Sequence, residues 1–326
     1  MARQRHTVTI SQVAEAAGVA RSSVSRAFTR PHLLRPDTVE RIKAAAARLG
    51  YVPNHSARAL STGLYGNLAM IVPDVANPFF PPMIRAAQDA ADDLDFCVLL
   101  GNSNEDPANE DRLVGKFVAQ TEGLILASSR LPRKRILDHA QRRPIVLINR
   151  DVEGIPRVLI DSASGVAQAV AHLAERGHRT IAYVSGPASS WSDKSRRAAA
   201  EKAAARLGVT LITLPARIPS FEAGRDVTDV LIGTEASAAI AFDDLTAHGI
   251  MEGMMAHDRA IPGDFAIVGC DDVLANLTRP PLTSISSRSQ EAGQLAVSLL
   301  CELLRSRSVK DARIVLDTQL VVRQTS

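Results

Sequence analysis

From residue 66 onward, short apolar runs alternate with stretches whose apolar positions recur every three or four residues. The runs fall at 68–72, 96–100, 124–127, 145–148, 158–160, 180–184, 211–214, 238–241 and 267–269. A strand covered on both faces of a parallel sheet reads as an unbroken apolar run, because neither side of its pleat meets water. Between the runs the period changes to that of a helix, as in 165–176, where Val166, Val170 and Leu173 share one side. This alternation predicts doubly wound parallel sheets, and nine strands fit two sheets better than one.

The first 53 residues contain no such runs. Val13, Ala14 and Ala17, then Val24, Ala27 and Phe28, then Val39, Ile42, Ala46 and Leu49 form three successive helical stripes. Thr9 followed by Gln12 has the spacing of a capping box, Gly18 suits a turn that needs positive φ, Pro36 suits a first helical position, and Gly50 suits a helix end. Ala20 stands where the second helix would gain from a Ser or Thr cap. With the inward positions of that helix taken by Val24, Ala27 and Phe28, its outer face carries Arg21, Ser22, Ser25 and Arg26. Two short helices joined by a glycine turn are a helix-turn-helix, whose second helix enters the DNA major groove. Arginine can bond guanine O6 and N7 together, and serine suits a base or a phosphate. The bland alternative is a solvated helix of no special kind.

Charge favours the first reading. Residues 1–60 carry ten Lys or Arg against three acids, whereas the remaining chain has 28 basic and 32 acidic residues. A cationic head on a slightly acidic body suits a polyanion at one end only. At 326 residues there is room for a small module and two domains of ordinary size. Cys97, Cys270 and Cys301 form no CxxC pair, so neither a disulfide framework nor a zinc site is expected, and the usage suits a reducing, cytoplasmic setting. The polar start and the lack of a long apolar run predict neither a signal peptide nor a membrane span. No dinucleotide, P-loop, nucleophile-elbow or HExxH motif occurs, so no catalytic residue, metal or cofactor is expected.

After Gly50-Tyr51-Val52-Pro53 comes Asn54-His55-Ser56-Ala57-Arg58-Ala59-Leu60, a helical pattern too short to hold itself in water. It would fold against DNA and a second copy of itself, with Leu60 as an apolar wedge in the minor groove, or else serve as a plain linker. The expected division is therefore a head at 1–53, a hinge helix and linker at 54–65, and a ligand-binding, dimerising body at 66–326.

Several blocks in fixed order carry a resemblance. They are Val13-Ala14-Glu15-Ala16-Ala17-Gly18-Val19, Val24-Ser25-Arg26, Leu49-Gly50-Tyr51-Val52-Pro53-Asn54, Ala57-Arg58-Ala59-Leu60, Ile71-Val72-Pro73-Asp74, Asn77-Pro78-Phe79-Phe80 and His172-Leu173-Ala174-Glu175-Arg176-Gly177-His178. Over essentially its whole length the chain resembles the lactose/galactose repressor family of bacterial transcription regulators. The resemblance implies an α/β protein with a three-helix head, a hinge helix and a two-lobed body like the periplasmic binding proteins. It further implies a homodimer on a pseudo-palindromic operator, with a small effector in the body that changes the affinity for DNA. The DNA-binding set is then Thr9, Arg21, Ser22, Ser23, Ser25 and Arg26 from the head, with Asn54, Ala57 and Leu60 from the hinge.

Ligands of such sheets sit beyond the carboxyl ends of the strands, so residues just after each run are candidates. Those positions supply Asn77, Phe80, Ser128, Ser129, Asn149, Arg150, Trp191, Ser192, Arg196, Phe221, Phe242, Asp243, Asp244, Asp271 and Asp272. Rings to stack on C–H faces, together with carboxylates and a guanidinium for vicinal hydroxyls, suit a sugar or related polyhydroxylated ligand. The selected set is Phe80, Ser129, Asn149, Trp191, Arg196, Phe221, Asp243 and Asp271. By the resemblance Arg196 and Asp271 grip the effector while Phe80 and Phe221 line the cleft. Asp243 departs from the Asn common in sugar responders. The duller readings are a turn cap for Asp271, core for Phe80 and a solvated charge for Arg196. The chain's last residues carry no leucine heptads, so a dimer without a tetramer is expected.

Overall fold

The computed structural model describes residues 8–29, 31–52, 65–215, 218–306 and 309–326. The chain divides into two compact units, Met1–Tyr65 and Gly66–Ser326.

In the first unit, α1 (Ile10–Ala17), α2 (Arg21–Thr29) and α3 (Pro36–Leu49) enclose a core of Val13, Ala14, Ala17, Val24, Ala27, Ile42, Ala45 and Ala46. The capping box forms: the Gln12 backbone N–H donates to Thr9 Oγ1 and the Thr9 N–H to Gln12 Oε1. Two of α1's orphaned N-terminal polar groups are thereby satisfied. Gly18 takes φ 62°, the left-handed conformation that ends α1 and starts the turn. Arg41 Nε donates to the Ala17 carbonyl at 3.1 Å, tying α3 to the end of α1.

The second unit holds two six-stranded sheets. The first lobe contains β1 (Asn67–Val72), α4 (Phe80–Asp92), β2 (Cys97–Asn102), α5 (Pro107–Phe117), β3 (Gly123–Ala127), α6 (Arg133–Ala140), β4 (Ile145–Ile148) and β5 (Arg157–Ile160). The second contains α7 (Ser162–Glu175), β6 (Thr180–Ser185), α8 (Trp191–Leu207), β7 (Thr210–Pro215), α9 (Phe221–Ile232), β8 (Ala238–Ala241), α10 (Asp244–Ala256), β9 (Ala266–Asp271) and β10 (Thr283–Ser286). The chain then returns: α11 (Ser289–Ser306) packs on the first sheet, β11 (Arg313–Leu316) pairs with β5, and β12 (Leu320–Val321) pairs antiparallel with β10. Every other strand pairing is parallel.

All nine expected strands are present, and β10, β11 and β12 are additional. Three of the four residues of β10 carry hydroxyls and β12 is two residues long, so neither gives an apolar run, whereas β11 offers the run Ile314-Val315-Leu316 at a half-exposed edge, which the sequence reading passed over.

Three crossings join the lobes, between β5 and α7, between β10 and α11, and between β11 and β12. They are stitched together. Thr318 Oγ1 donates to the Asp161 carbonyl at 2.8 Å, Gln319 N–H to Ser286 Oγ at 3.1 Å, and Leu320 N–H to Gln168 Oε1 at 3.1 Å. Gly165 lies against this seam, where a β-carbon would come within 2.3 Å of Ile285.

Helices α9 and α10 approach backbone to backbone. A β-carbon on Gly249 would lie 1.9 Å from the Phe221 carbonyl oxygen, and one on Gly224 2.1 Å from that of Thr246. Gly249→Ala should therefore destabilise the body by about 1–3 kcal/mol, since a rigid backbone must move. Gly115, in α5, has open space around its missing side chain. Gly115→Ala should instead stabilise by about 0.5–1 kcal/mol through helix propensity. Urea unfolding of both variants checks the contrast; equal effects would show that the packing argument is wrong.

Candidate functional site

On α2, Arg21, Ser22, Ser25 and Arg26 are exposed, as the stripe Val24–Ala27 turned inward requires, and Ser23 is half-buried. Neither arginine has an ion pair among the described residues, so both guanidiniums are free for an external anion. Thr9 is exposed but serves as the cap of α1. Asn54, Ala57 and Leu60 lie outside the described residues.

Within the second unit the cleft between the lobes is lined from the first by Asn77, Phe79, Phe80, Glu105, Ser128, Arg130 and Asn149. From the second come Ser190, Ser192, Arg196, Pro219, Phe242, Asp243 and Asp271. Arg196 is its centre. It lies buried on α8, with Nε donating to Ser162 Oγ at 2.8 Å and a terminal nitrogen to the Phe242 carbonyl at 2.5 Å. Its guanidinium sits 5.0 Å over the Phe242 ring, and its other terminal nitrogen is 3.7 Å from Asp271 Oδ1. Burial by itself would lower the guanidinium's pKa, but Cys270, Asp271, Tyr183 and Asp243 around it outweigh that and raise it. Asp271 ends β9 with φ 108°, a strained backbone that turns its carboxyl into the cleft. Burial pushes that carboxyl well above the usual range, with the Arg196 charge working against the shift.

Phe242 can lie where it does because Gly186 leaves room: a β-carbon there would meet the ring at 2.5 Å. The loop carrying Gly186 is held by Asp193, whose Oδ1 accepts from Gly186 N–H at 2.8 Å and from the Tyr183 hydroxyl at 3.0 Å.

Two polar pairs complete the walls. Asn77 Nδ2 donates across the cleft to Asp243 Oδ2 at 2.9 Å, while Asp243 Oδ1 caps α10 by accepting from Thr246 N–H. Arg130 grips Glu105 with two bonds, at 2.5 and 2.9 Å. Asn104 and Glu105 both adopt positive φ to bring that carboxylate in. With the lobes thus joined, the cleft encloses about 30 Å³, room for about one or two waters against the ~300–1,000 Å³ typical of ligand sites. The arrangement is a closed one.

Of the selected residues, Phe80, Asn149, Arg196, Asp243 and Asp271 line the cleft, and Ser129, Trp191 and Phe221 do not. The loop after β3, which Ser128 enters at φ 49°, accounts for the first departure: Ser128 and Arg130 line the cleft, and Ser129, between them, accepts from Leu131 N–H and bonds the buried Glu110 carboxyl. On α8, Ser192 and Arg196 share a face four residues apart, which leaves Trp191 half-buried to one side. Phe221 is held by the close approach of its carbonyl to Gly249, and Pro219 lines the cleft in its stead. Glu105 and Arg130 escaped the sequence reading. Each lies three residues beyond its strand: the candidates after β3 stop at Ser129, and the loop after β2 supplies none. Among the described residues no group of His, Cys, Asp and Glu is placed to hold a metal ion, and no helix is long and apolar enough to cross a membrane.

Comparison with known proteins decides the family. Residues 9–54 match the bacterial regulatory proteins of the lacI family, and residues 170–326 match a periplasmic binding protein-like domain. The chain is 31% identical to the ribose operon repressor of Halalkalibacterium halodurans, over 98% of its own length and 97% of that protein's. The chain belongs to the lacI family. Its fold matches the lac repressor dimer bound to operator and an anti-inducer with TM-score 0.88 at 26% identity, covering 98% of this chain and 99% of the other. It also matches a LacI-family regulator of Enterococcus faecium with bound ribose at TM-score 0.73 and 25% identity, over 80% of this chain and 98% of that one. In this lacI-family chain, then, the exposed arginines of α2 belong to a DNA-reading head and the cleft to a regulatory body.

Asp244, beside the cleft, gives a pH prediction. Burial pushes its carboxyl up to about 7, although Ser284 and the Leu274 and Val273 backbone N–H groups bond it. A carboxyl that holds its proton more tightly when folded stabilises the native state below the unfolded pKa, and this contribution fades as pH rises towards 7. Asp244→Asn, which cannot ionise, should flatten the fall in unfolding free energy between pH 5 and pH 8, as read by urea titrations at several pH values. A variant with the same slope as the parent would exclude Asp244 as its source.

Proposed function

We propose that this chain is a homodimeric transcriptional repressor whose affinity for a pseudo-palindromic operator is set by a sugar or related polyhydroxylated metabolite held between the lobes. The observation that carries the ligand reading is the buried Arg196–Asp271 pair. Arg196 Nε and one terminal nitrogen are occupied by protein oxygens, whereas its second terminal nitrogen and the Asp271 carboxyl lie 3.7 Å apart and face the cavity. A donor and an acceptor at that separation suit two neighbouring hydroxyls, with Phe80 supplying an apolar face. The ligand-bound relatives agree in chemistry, since the Enterococcus faecium regulator holds ribose.

Catalysis has no place in this reading; the chain binds and switches in the cytoplasm, where its operator lies. Entry of a sugar requires the Asn77–Asp243 bond to open, because the closed cleft cannot contain one. An effector that prefers one closure state then shifts the balance between states by its difference in affinity, and operator affinity changes reciprocally. In the head, Arg21, Ser22, Ser25 and Arg26 read the major groove. Asn54, Ala57 and Leu60 extend the contact as a hinge, and two-fold operator symmetry calls for two heads.

Asp271→Ala should abolish the rise in melting temperature that an effector sugar produces, and should leave DNA binding without sugar nearly intact. Loss of one buried charge-assisted partner costs about 2–5 kcal/mol, enough to remove a micromolar site. Screening the purified chain against pentoses, hexoses, their phosphates and polyols identifies the effector; a variant that binds it as tightly as the parent would move the site elsewhere. Arg26→Ala should weaken operator binding by about 1–3 kcal/mol and relax preference at one base position. Equal losses on operator and random DNA in gel shifts would make Arg26 a phosphate contact only.

A further inference from the structure

A second cavity, of about 330 Å³, opens at the other end of the first sheet, where Pro144 and Pro156 lead into β4 and β5. It has about ten times the room of the effector cleft. Three cations line it. Arg142 and Arg143 follow the end of α6, and Lys310 lies between α11 and β11. Among the described residues Arg142 and Lys310 make no ion pair or hydrogen bond through their side chains. Arg143 is fixed by one bond from Nε to the Val118 carbonyl at 3.1 Å, which leaves its terminal nitrogens unpartnered. The apolar part of the wall is Ile145, Ile155 and Leu303.

No carboxylate lines this cavity. Two nearby acids are committed elsewhere: Asp151 bonds Arg157 and Arg313, and Asp311 accepts from Arg157 at 2.6 Å and from Gly154 N–H at 2.8 Å, while Glu153 and Glu302, next to lining residues, are exposed and make no ion pair with the three cations. The charged side chains that line the cavity itself are therefore all cations. Three like charges converging on one concave space repel one another, and an anion inside relieves that repulsion.

We propose that this cavity is a second ligand site, for a small organic anion with an apolar body: a carboxylate or phosphate monoester on a ring or short aliphatic frame. The charged end meets Arg142, Arg143 and Lys310, and the frame covers Ile145, Ile155 and Leu303. A neutral sugar finds no carboxylate or amide side-chain oxygen there except Gln141, unlike the effector cleft. Inorganic phosphate would leave the apolar wall wet. The site bears on the function because Leu303 and Lys310 belong to the stretch that runs from the second lobe crossing to the third.

Phenyl phosphate, with phenol and inorganic phosphate as controls, tests this in the full-length protein by calorimetry at constant ionic strength. Phenyl phosphate should bind at least tenfold more tightly than either control. The double variant Arg142→Ala/Lys310→Ala, at exposed positions that leave the core untouched, should lose at least tenfold in affinity, and Asp271→Ala should lose none. The proposal is overturned by absence of binding at millimolar phenyl phosphate, by equal binding of inorganic phosphate, by an unchanged double variant, or by loss of binding in Asp271→Ala, which would place the anion in the effector cleft.

Discussion

A guanidinium buried without compensation would destabilise the body by several kcal/mol, and the cleft is organised around avoiding that outcome for Arg196. Ser162 at the start of α7, the Phe242 carbonyl and ring beyond β8, and Asp271 at the end of β9 each take part of the task. Four separate segments of the second lobe are thereby brought to one point. Gly186 and the Asp193 anchor serve the same end one step removed, since they seat the ring on which the guanidinium stacks. A ligand that engages the remaining donor and carboxyl completes a set of contacts already held in place, which lowers the ordering cost of binding.

The proposed switch needs the lobes to move as bodies, and the backbone suits such motion. Within the second lobe, α9 and α10 touch through glycines with no side chain between them, so they cannot slide without clashing. Between the lobes there are three crossings, tied to one another by hydrogen bonds from Thr318, Gln319 and Leu320. Stiff lobes on a narrow seam concentrate motion in the seam, as in hinge closure of other two-lobed folds. Apart from the seam, Asn77 and Asp243 link one lobe to the other by a buried hydrogen bond.

The proposed anion site stands apart from this in place and chemistry. The cleft pairs each arginine with a carboxylate, Glu105 with Arg130 and Asp271 with Arg196, so its charges are nearly balanced and hydroxyls can compete for them. At the opposite end of the first sheet Asp151 and Asp311 are drawn to Arg157 and Arg313, and among the described residues the three lining cations make no ion pair. The same residue types thus favour different ligands according to whether the tertiary fold puts opposite charges side by side.

Sequence alone determined what depends on local spacing. The capping box at Thr9, the glycine that ends α1, the exposed face of α2 and nine of the twelve strands of the body all follow from periods of two or 3.6 and from turn chemistry. Asp271 stands at the end of β9, where the strand pattern already points, and Arg196 was singled out through the family resemblance; the structure places both in the cleft. Tertiary structure decided what depends on direction and on partners far along the chain. One step of backbone turns Ser128 inward and Ser129 away, or Ser192 inward and Trp191 aside, and no composition rule resolves a single step. β12, two residues long, becomes a strand because β10 offers it an edge. Asp243 meets Asn77 across 166 residues of sequence, a pairing that only the closed lobes create.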